Sequence, residues 1–152
     1  MVVGPRCLAL ILRDVAGYMD ADVSAREVIG EYLAAMERGD REGAVALYAE
    51  DVVMHVPGRS SFAGERRGRD DVLAYLRAAV ERAPGGIEVE LVDVLEGERD
   101  RVALLLRETL HGARGDVVLR RANVYTVRDG AIVEVWIFEH DQYAVDELVG
   151  EA

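Results

Sequence analysis

A single imidazole interrupts the short apolar run VVMHV. This residue, His55, stands just before Pro57 and Gly58, which end the run. Imidazole is the side chain whose unperturbed pKa suits general-base catalysis near neutral pH. Because side chains alternate between the two faces of a strand, either His55 or Val56 points to a given face, unless the strand twists or bulges before Pro57. The sequence therefore predicts a candidate base at His55 and leaves its orientation open.

Two further polar side chains lie within otherwise apolar elements. Tyr32 is on the apolar face of a predicted helix, where a tyrosine either packs in the core or turns its hydroxyl into a pocket. Asn123 lies in the predicted strand RRANVYTV, where an unpaired amide would cost ~1–3 kcal/mol. It therefore needs a partner or a wet cavity. An amide donates hydrogen bonds but transfers no protons at neutral pH, so Asn123 is a candidate for stabilising an oxyanion.

Other ligand-binding patterns are weak in this chain. His55, His111 and His140 are far apart, and none has a carboxylate three or four positions on along a helix, so no metal site is expected. Cys7 is the only cysteine, which excludes an internal disulfide and a thiolate zinc site. The segment GERRGR is either a clamp for an anionic substrate or a solvated loop. There is no glycine-rich phosphate motif, and no cofactor is expected.

Net charge and hydropathy exclude two classes of partner. The 152 residues carry a net charge of -11, and all 18 basic residues are arginines. A protein that follows nucleic-acid phosphates needs the opposite balance. No apolar run approaches the ~20 residues that span a membrane. The apolar stretch CLALIL is followed at once by Arg13 and Asp14, so residues 1–23 are interpreted as an extension rather than a secretion signal. We expect a cytoplasmic protein.

Helical patterns dominate the first half of the chain. The segment SAREVIGEYLAAMERGD combines the capping-box spacing of Ser24 and Glu27 with an apolar face at helical period. Gly39 ends this helix, and Asp40 can cap a second one. The second helix is predicted to carry Val45, Leu47 and Tyr48. A third helix, in RDDVLAYLRAAVERAPGG, ends at its Pro-Gly-Gly.

Strand patterns dominate the second half. A first strand, Val52–Val56, precedes the polar loop GRSSFAGERRG, and four long antiparallel strands follow the third helix. The turn RDG joins the last two strands, and the tail DQYAVDELVGEA predicts a short acidic helix. Helices followed by a meander indicate an α+β fold with helices on one face of a curved sheet. Residues 24–152 form one domain.

These segments resemble the nuclear transport factor 2-like superfamily, which includes ketosteroid isomerases, limonene epoxide hydrolases and SnoaL-type polyketide cyclases. The resemblance runs from about Ser24 to Leu148 and is carried by YLAAMERGDREGAVALYAEDVVMHVPG, GRDDVLAYL and YTVRDGAIVEVW. It implies a cone-shaped, curved antiparallel sheet with three helices packed around an apolar pocket. It also implies a homodimer formed through the convex face of the sheet.

The resemblance assigns roles to single residues. Tyr32 matches a helix tyrosine that donates to the oxyanion in ketosteroid isomerases, and Asn123 matches the oxyanion-stabilising aspartic acid of those enzymes. The isomerase base corresponds to Val56, next to His55. Ile137 replaces the aspartate of the cyclases and epoxide hydrolases, which leaves the arrangement of two aspartates around an arginine incomplete.

Three classes of function follow from the resemblance. The first is a cofactor-independent isomerase or cyclase acting on a hydrophobic, cyclic, polyketide- or steroid-like molecule, with His55 as base and Tyr32 and Asn123 as oxyanion donors. The second is a non-catalytic small-molecule-binding module. The third is an epoxide hydrolase-like enzyme, in which Arg107 supplies the arginine and Glu139 the missing carboxylate. The substrate-binding residues would be Phe62, Leu73, Leu76, Arg107, Val135, Ile137 and Glu139.

Overall fold

The computed structural model describes residues 23–98, 100–112 and 115–150. The predicted extension, residues 1–23, lies outside this part of the chain except for its last residue, and so does Cys7. The elements follow in the order α1 (Ala25–Glu37), α2 (Arg41–Ala46), β1 (Tyr48–Val56), β2 (Gly64–Arg67), α3 (Arg69–Glu81), β3 (Ile87–Glu96), β4 (Arg101–Gly112), β5 (Gly115–Arg128), β6 (Ala131–Glu139) and α4 (Gln142–Val149). The predicted α+β class is confirmed.

The start of α1 is fixed by local hydrogen bonds, as its sequence predicts. The Ser24 hydroxyl accepts from the Glu27 amide at 3.2 Å, and the Glu27 carboxylate accepts from the Ser24 amide at 2.9 Å. This capping box satisfies N–H groups that have no partner inside the helix. Gly39 ends the segment with a φ of 73°, and Asp40 then accepts from the Gly43 amide at 2.8 Å and begins α2. These short-range signals are confirmed.

The six strands form one open sheet in the order β2-β1-β6-β5-β4-β3. Four of the five neighbouring pairs are antiparallel, but β1 runs parallel to β6. The predicted curved sheet is therefore antiparallel at four of its pairs, and only β1 and β6 depart from that pattern. Parallel pairing requires a long crossover, and here the chain between β1 and β6 includes α3 and three long strands.

Two local predictions are also corrected. The helix α2 ends at Ala46, so Tyr48 starts β1 instead of lying on the second helix. Residues Gly64–Arg67, predicted as loop, form the edge strand β2 and pair antiparallel with β1. The sequence GERR has no apolar alternation, because an edge strand with its side chains in solvent has no buried face to mark it.

The core lies between α1, α3 and one face of the sheet. On α1, Val28 and Ile29 are 2 % and 1 % exposed, and on α3 Val72 is fully buried. They pack against the sheet side chains of alternate positions, here called the inner face: Val52, Met54, Val102, Leu104, Leu106, Tyr125, Val127, Val135 and Ile137. The other side of the sheet, called the outer face, carries the intervening residues. The helices therefore cover one face only.

Candidate functional site

A cavity of about 110 Å³ lies between the helices and the inner face. Its wall is apolar over most of its area, with one polar side on β4 and β5. The lining residues are Tyr32, Leu33, Met36, Tyr48, Met54, Tyr75, Leu76, Val89, Leu104, Leu106, Glu108, Arg121, Asn123, Tyr125, Val135 and Ile137. A largely apolar pocket with a few converging polar groups is the usual form of a small-molecule site.

Three of the tyrosines that line the cavity, from α1, β1 and β5, lie close together. The ring of Tyr32 packs edge-on against Tyr48, with 5.7 Å between centroids, and lies 5.8 Å from the ring of Tyr125. Burial raises the pKa of all three hydroxyls, and the mutual proximity of Tyr32 and Tyr48 raises the pKa of Tyr32 further. The phenols therefore stay protonated at physiological pH and can donate hydrogen bonds.

Asn123 lies beside these tyrosines. Its amide nitrogen donates to the Tyr125 hydroxyl at 3.4 Å, and its Oδ1 atom is buried with no hydrogen-bond partner among the described residues. Since Asn123 and Tyr32 line the same cavity, the structure brings together the two side chains predicted as oxyanion donors.

The polar side on β4 and β5 also carries an ion-paired group, in which Arg121 joins Glu108 and Glu139. One guanidinium nitrogen of Arg121 lies 3.3 Å from Glu108 Oε2, and another lies 2.9 Å from Glu139 Oε1. The side chains of Glu108 and Arg121 are each 13 % exposed, and that of Glu139 is 4 % exposed. Glu108 and Arg121 line the cavity, whereas Glu139 contacts it only through Arg121.

The register of the sheet produces this grouping. Arg121 on β5 lies directly opposite Glu139 on β6, and Glu108 comes from the neighbouring strand β4. Burial raises the pKa of Glu139, and Arg121 opposes this shift without cancelling it. Burial also raises the pKa of Tyr75, which lies near the same guanidinium. Two carboxylates therefore share one cation in a region of low polarity.

His55 lies on the outer face and does not reach the cavity. Its ring stacks on Trp136 with 3.7 Å between centroids, its Nε2 atom is 3.2 Å from Glu134, and its Nδ1 atom is 3.5 Å from Glu65. Val56 instead packs against the core. Strand alternation allows one of the two residues to face inward, and the structure gives that place to Val56. The expected position of His55 as a base in the pocket is therefore corrected.

Arg107 is also on the outer face. Its side chain is 49 % exposed and lies 3.6 Å from Glu90. The prediction that Arg107 supplies an arginine to the pocket is corrected, because the inward-facing arginine is Arg121.

The remaining predicted residues occupy three kinds of position. Leu76, Val135 and Ile137 line the cavity. Leu73 is half-buried against the core but is not part of the cavity wall, and Phe62 packs edge-on against the cavity residue Tyr75 at 5.8 Å. Glu139 faces inward, but it lies buried against Arg121 and is not part of the cavity wall.

Sequence reasoning missed Glu108, Arg121 and Tyr125. Alternation along β5 places Arg121, Asn123 and Tyr125 on one face of the strand. The prediction that Asn123 faces the pocket therefore also implied that Arg121 and Tyr125 face it. Glu108 likewise shares the face of Leu104 and Leu106 on β4. Each residue looks like an ordinary polar strand position when its neighbours across the sheet are unknown.

The described part of the chain contains neither a candidate membrane-spanning helix nor a candidate metal site. No helix in residues 23–98, 100–112 and 115–150 is both long enough and apolar enough to cross a membrane. The same residues contain no group of three or more His, Cys, Asp or Glu side chains that could hold a metal ion.

Comparison with known proteins relates this geometry to a family. The sequence model of the SnoaL-like domain matches residues 29–135. An uncharacterised protein of Mycobacterium tuberculosis (strain ATCC 25618 / H37Rv) is 34% identical over 131 residues, which cover 85% of this chain and 96% of that protein.

Solved structures show the same architecture. Bal32a, from a soil-derived mobile gene cassette, superposes with a TM-score of 0.77 at 25% identity, covering 83% of this chain and 96% of the other. An NTF2-like protein of Burkholderia pseudomallei superposes with a TM-score of 0.69 at 20% identity, covering 82% and 96% of the two chains, and at that identity the likeness concerns the fold.

Proposed function

The chain belongs to the SnoaL-like domain family, with the NTF2-like fold, and from that premise we propose that it is an acid–base enzyme of the isomerase or cyclase type, acting on a small cyclic molecule without a cofactor. One observation carries the proposal. Among the described residues, Glu108 is the single carboxylate that lines a mostly apolar cavity, and it shares that wall with protonated hydrogen-bond donors. A fixed carboxylate in the same cavity as neutral donors is the arrangement that proton transfer next to a carbonyl requires.

In the proposed reaction Glu108 takes a proton from the carbon next to a substrate carbonyl. The carbonyl oxygen becomes an enolate oxygen. In an isomerisation the protonated Glu108 returns the proton to another carbon. In a ring closure the enolate carbon attacks a second carbonyl carbon of the same substrate, and Glu108 gives its proton to the alkoxide that forms. The role that the sequence suggested for His55 passes to Glu108, because His55 is on the other face of the sheet. Arg121, 3.3 Å from Glu108, holds the carboxylate in place.

The enolate oxygen needs hydrogen-bond donors that do not lose their own protons. Tyr32 meets this condition because burial raises the pKa of its hydroxyl. The Asn123 amide meets it when its NH₂ group is turned towards the cavity and its oxygen accepts from Tyr125, an exchange of amide atoms that preserves the contact between these two residues. Removing one such donor typically lowers kcat by ~10²–10³.

The test is hydrogen–deuterium exchange at the α-carbons of small cyclic ketones, followed by NMR in heavy water. We expect the wild type to accelerate exchange, and Glu108→Gln to lower the catalysed rate by ~10²–10⁴. The matched control is Glu90→Gln, a change of the same chemistry on the outer face, where the carboxylate is 61 % exposed and pairs with Arg107. A Glu108→Gln enzyme as active as the control would refute the assignment. Ligands that bind without exchange or turnover would favour the non-catalytic binding module.

A second candidate is epoxide hydrolysis, favoured by the order carboxylate, arginine, carboxylate in Glu108, Arg121 and Glu139. The sequence suggested that this arrangement was incomplete at Ile137, but the row is formed from other positions. Glu108 would activate the water and the Tyr32 hydroxyl would donate to the epoxide oxygen, because Glu139 does not line the cavity and acts only through Arg121. Incubation with cyclohexene oxide in ¹⁸O-labelled water distinguishes the candidates, since a hydrolase yields a labelled diol while an isomerase leaves the epoxide unlabelled and unopened.

A further inference from the structure

We propose that the substrate of this cavity is a neutral molecule with one small ring, bearing a hydroxyl or carbonyl group at the end that meets Asn123. The inference rests on the proposed function, because it concerns the same cavity, and it narrows the substrate class in three respects: size, charge and hydrogen-bonding groups.

The size follows from the volume. An apolar cavity of about 150 Å³ holds a single benzene ring. The cavity here is smaller, at about 110 Å³; buried side chains such as Tyr48, Leu104 and Val135 line its wall, and it is partly open to solvent. A steroid or a fused polyketide skeleton would have to displace several of them. The enclosed part therefore takes at most one five- or six-membered ring, with any further substituent at the opening, and a fused polycyclic skeleton exceeds it.

The charge follows from the ion-paired group. Arg121 is the only lysine or arginine that lines the cavity in the described part of the chain, and Glu108 and Glu139 already occupy its guanidinium. An anionic substrate would lie beside Glu108 with no free cation to meet it. A cationic substrate would lie beside Arg121 and compete with it for the same carboxylate. Because an unpaired charge in an apolar cavity is strongly unfavourable, the pocket selects a neutral molecule.

The hydrogen-bonding groups follow from atoms left without partners. Asn123 Oδ1 and Arg121 Nε are both buried, and neither has a hydrogen-bond partner among the described residues, although both residues line the cavity. Buried polar atoms are rarely left unpaired in folded proteins. A hydroxyl can both donate and accept, and a carbonyl can meet the Asn123 amide after its exchange of atoms. The polar end of the substrate therefore belongs at this wall, and its ring belongs against the apolar wall of Leu76, Val135 and Ile137.

Titration calorimetry with defined probes tests the size, the charge and the hydrogen-bonding groups of the substrate separately, and it needs no turnover. At neutral pH we expect phenol to bind about tenfold more tightly than fluorobenzene, which lacks the hydroxyl. We expect benzyl alcohol to bind about tenfold more tightly than the similarly shaped anion benzoate. For size, we expect phenol to bind about tenfold more tightly than 2-naphthol. Asn123→Leu should remove the preference for phenol over fluorobenzene.

A matched pair of variants locates the binding. Val135 lines the cavity, and Val127 is equally buried on the neighbouring strand without lining it. We expect Val135→Ala to admit 2-naphthol about fivefold more tightly, because the truncation enlarges the cavity, and Val127→Ala to leave the probe affinities unchanged. Thermal unfolding of both variants establishes that each is folded.

The outcomes separate this inference from the proposed function. Benzoate binding as tightly as benzyl alcohol, 2-naphthol binding wild type as tightly as phenol, or no binding by any neutral single-ring probe would each overturn the substrate class. If the expected affinities are found but no ketone exchanges its protons, the substrate class stands and the acid–base function fails. Turnover confined to a polycyclic ketone would leave the function standing and overturn the substrate class.

Discussion

Arg121 is the residue on which the polar side of the cavity depends. It meets Glu108 and Glu139 through different nitrogen atoms, so both carboxylates lose their counter-ion if it is removed. Breaking a buried ion pair by removing one partner commonly costs ~3–5 kcal/mol, because the remaining charge is left uncompensated. Glu108 can therefore act as a fixed carboxylate only while Arg121 is in place.

Glu139 gives the stability of the protein a dependence on pH. Burial raises the pKa of its carboxyl above the ordinary value of 4.5, with Arg121 opposing the shift. The folded protein holds this proton more tightly than the unfolded chain, so the stabilisation is complete below the ordinary pKa and is lost as pH rises through the folded pKa.

We therefore expect the unfolding free energy of the wild type to fall relative to that of Glu139→Gln as pH rises from the ordinary pKa of 4.5 through the raised pKa of Glu139. Urea unfolding at several pH values measures this difference. Glu90→Gln serves as the control on the exposed outer face and should run parallel to the wild type. A difference between wild type and Glu139→Gln that grows in the opposite direction would contradict the raised pKa.

At the scale of single elements, α4 is attached to the loop after β1 through one carboxylate. Asp146 Oδ1 accepts from the backbone amides of Arg59 at 3.0 Å and Ser60 at 3.2 Å, and from the Gln142 side chain at 3.1 Å. Backbone amides in a loop have no strand or helix partner, so a carboxylate that accepts two of them fixes the path of the loop. The same loop leads to Phe62, which packs on the cavity residue Tyr75.

We expect Asp146→Ala to lower the unfolding free energy by ~1–3 kcal/mol, because two backbone donors lose their acceptor. Glu147→Ala, the next residue on the exposed side of α4, should change it by less than ~0.5 kcal/mol. Chemical denaturation of the two variants makes the comparison. Equal effects would show that helix propensity, and not the contact with the loop, accounts for the loss.

At the scale of the whole molecule, the outer face of the sheet is not covered by helices and carries exposed apolar side chains beside its ion pairs. Val92, Val118, Trp136 and Phe138 are between 42% and 60% exposed there, and the rings of Trp136 and Phe138 are stacked with 6.4 Å between centroids. Large contiguous apolar patches on a protein surface mark interaction sites. The homodimer implied by the family resemblance remains a prediction, as does the cytoplasmic location, and this face is where we propose that the two copies meet.

We expect the wild type to sediment as a dimer and Trp136→Glu to sediment as a monomer, because the new charge would be buried in the contact between copies. Tyr143→Glu is the matched control, since Tyr143 is a more exposed aromatic residue, at 88 %, on α4. Analytical ultracentrifugation measures both. A monomeric wild type, or a Trp136→Glu variant that stays dimeric, would contradict the interface.

The sequence by itself determined most of the elements and the caps of the first two helices. These signals act on the nearest few residues, as in the pairs Ser24 with Glu27 and Gly39 with Asp40. In the RDG turn, Asp129 and Gly130 take φ values of 50° and 73°, which suit a two-residue hairpin turn. With the apolar periodicities and the family resemblance, these signals were sufficient to predict the α+β fold and the pocket residues Tyr32 and Asn123.

Only the tertiary structure decided which face each strand turns to the helices and which side chains meet across strands. Alternation states that His55 and Val56 point to opposite sides, but the side that packs on the helices is fixed by the whole core, which takes Met54 and Val56 inward and leaves His55 against Trp136. Likewise Glu108, Arg121 and Glu139 come from three strands and meet through the sheet register. Register and facing depend on contacts between residues far apart in the chain, and a local pattern does not contain them.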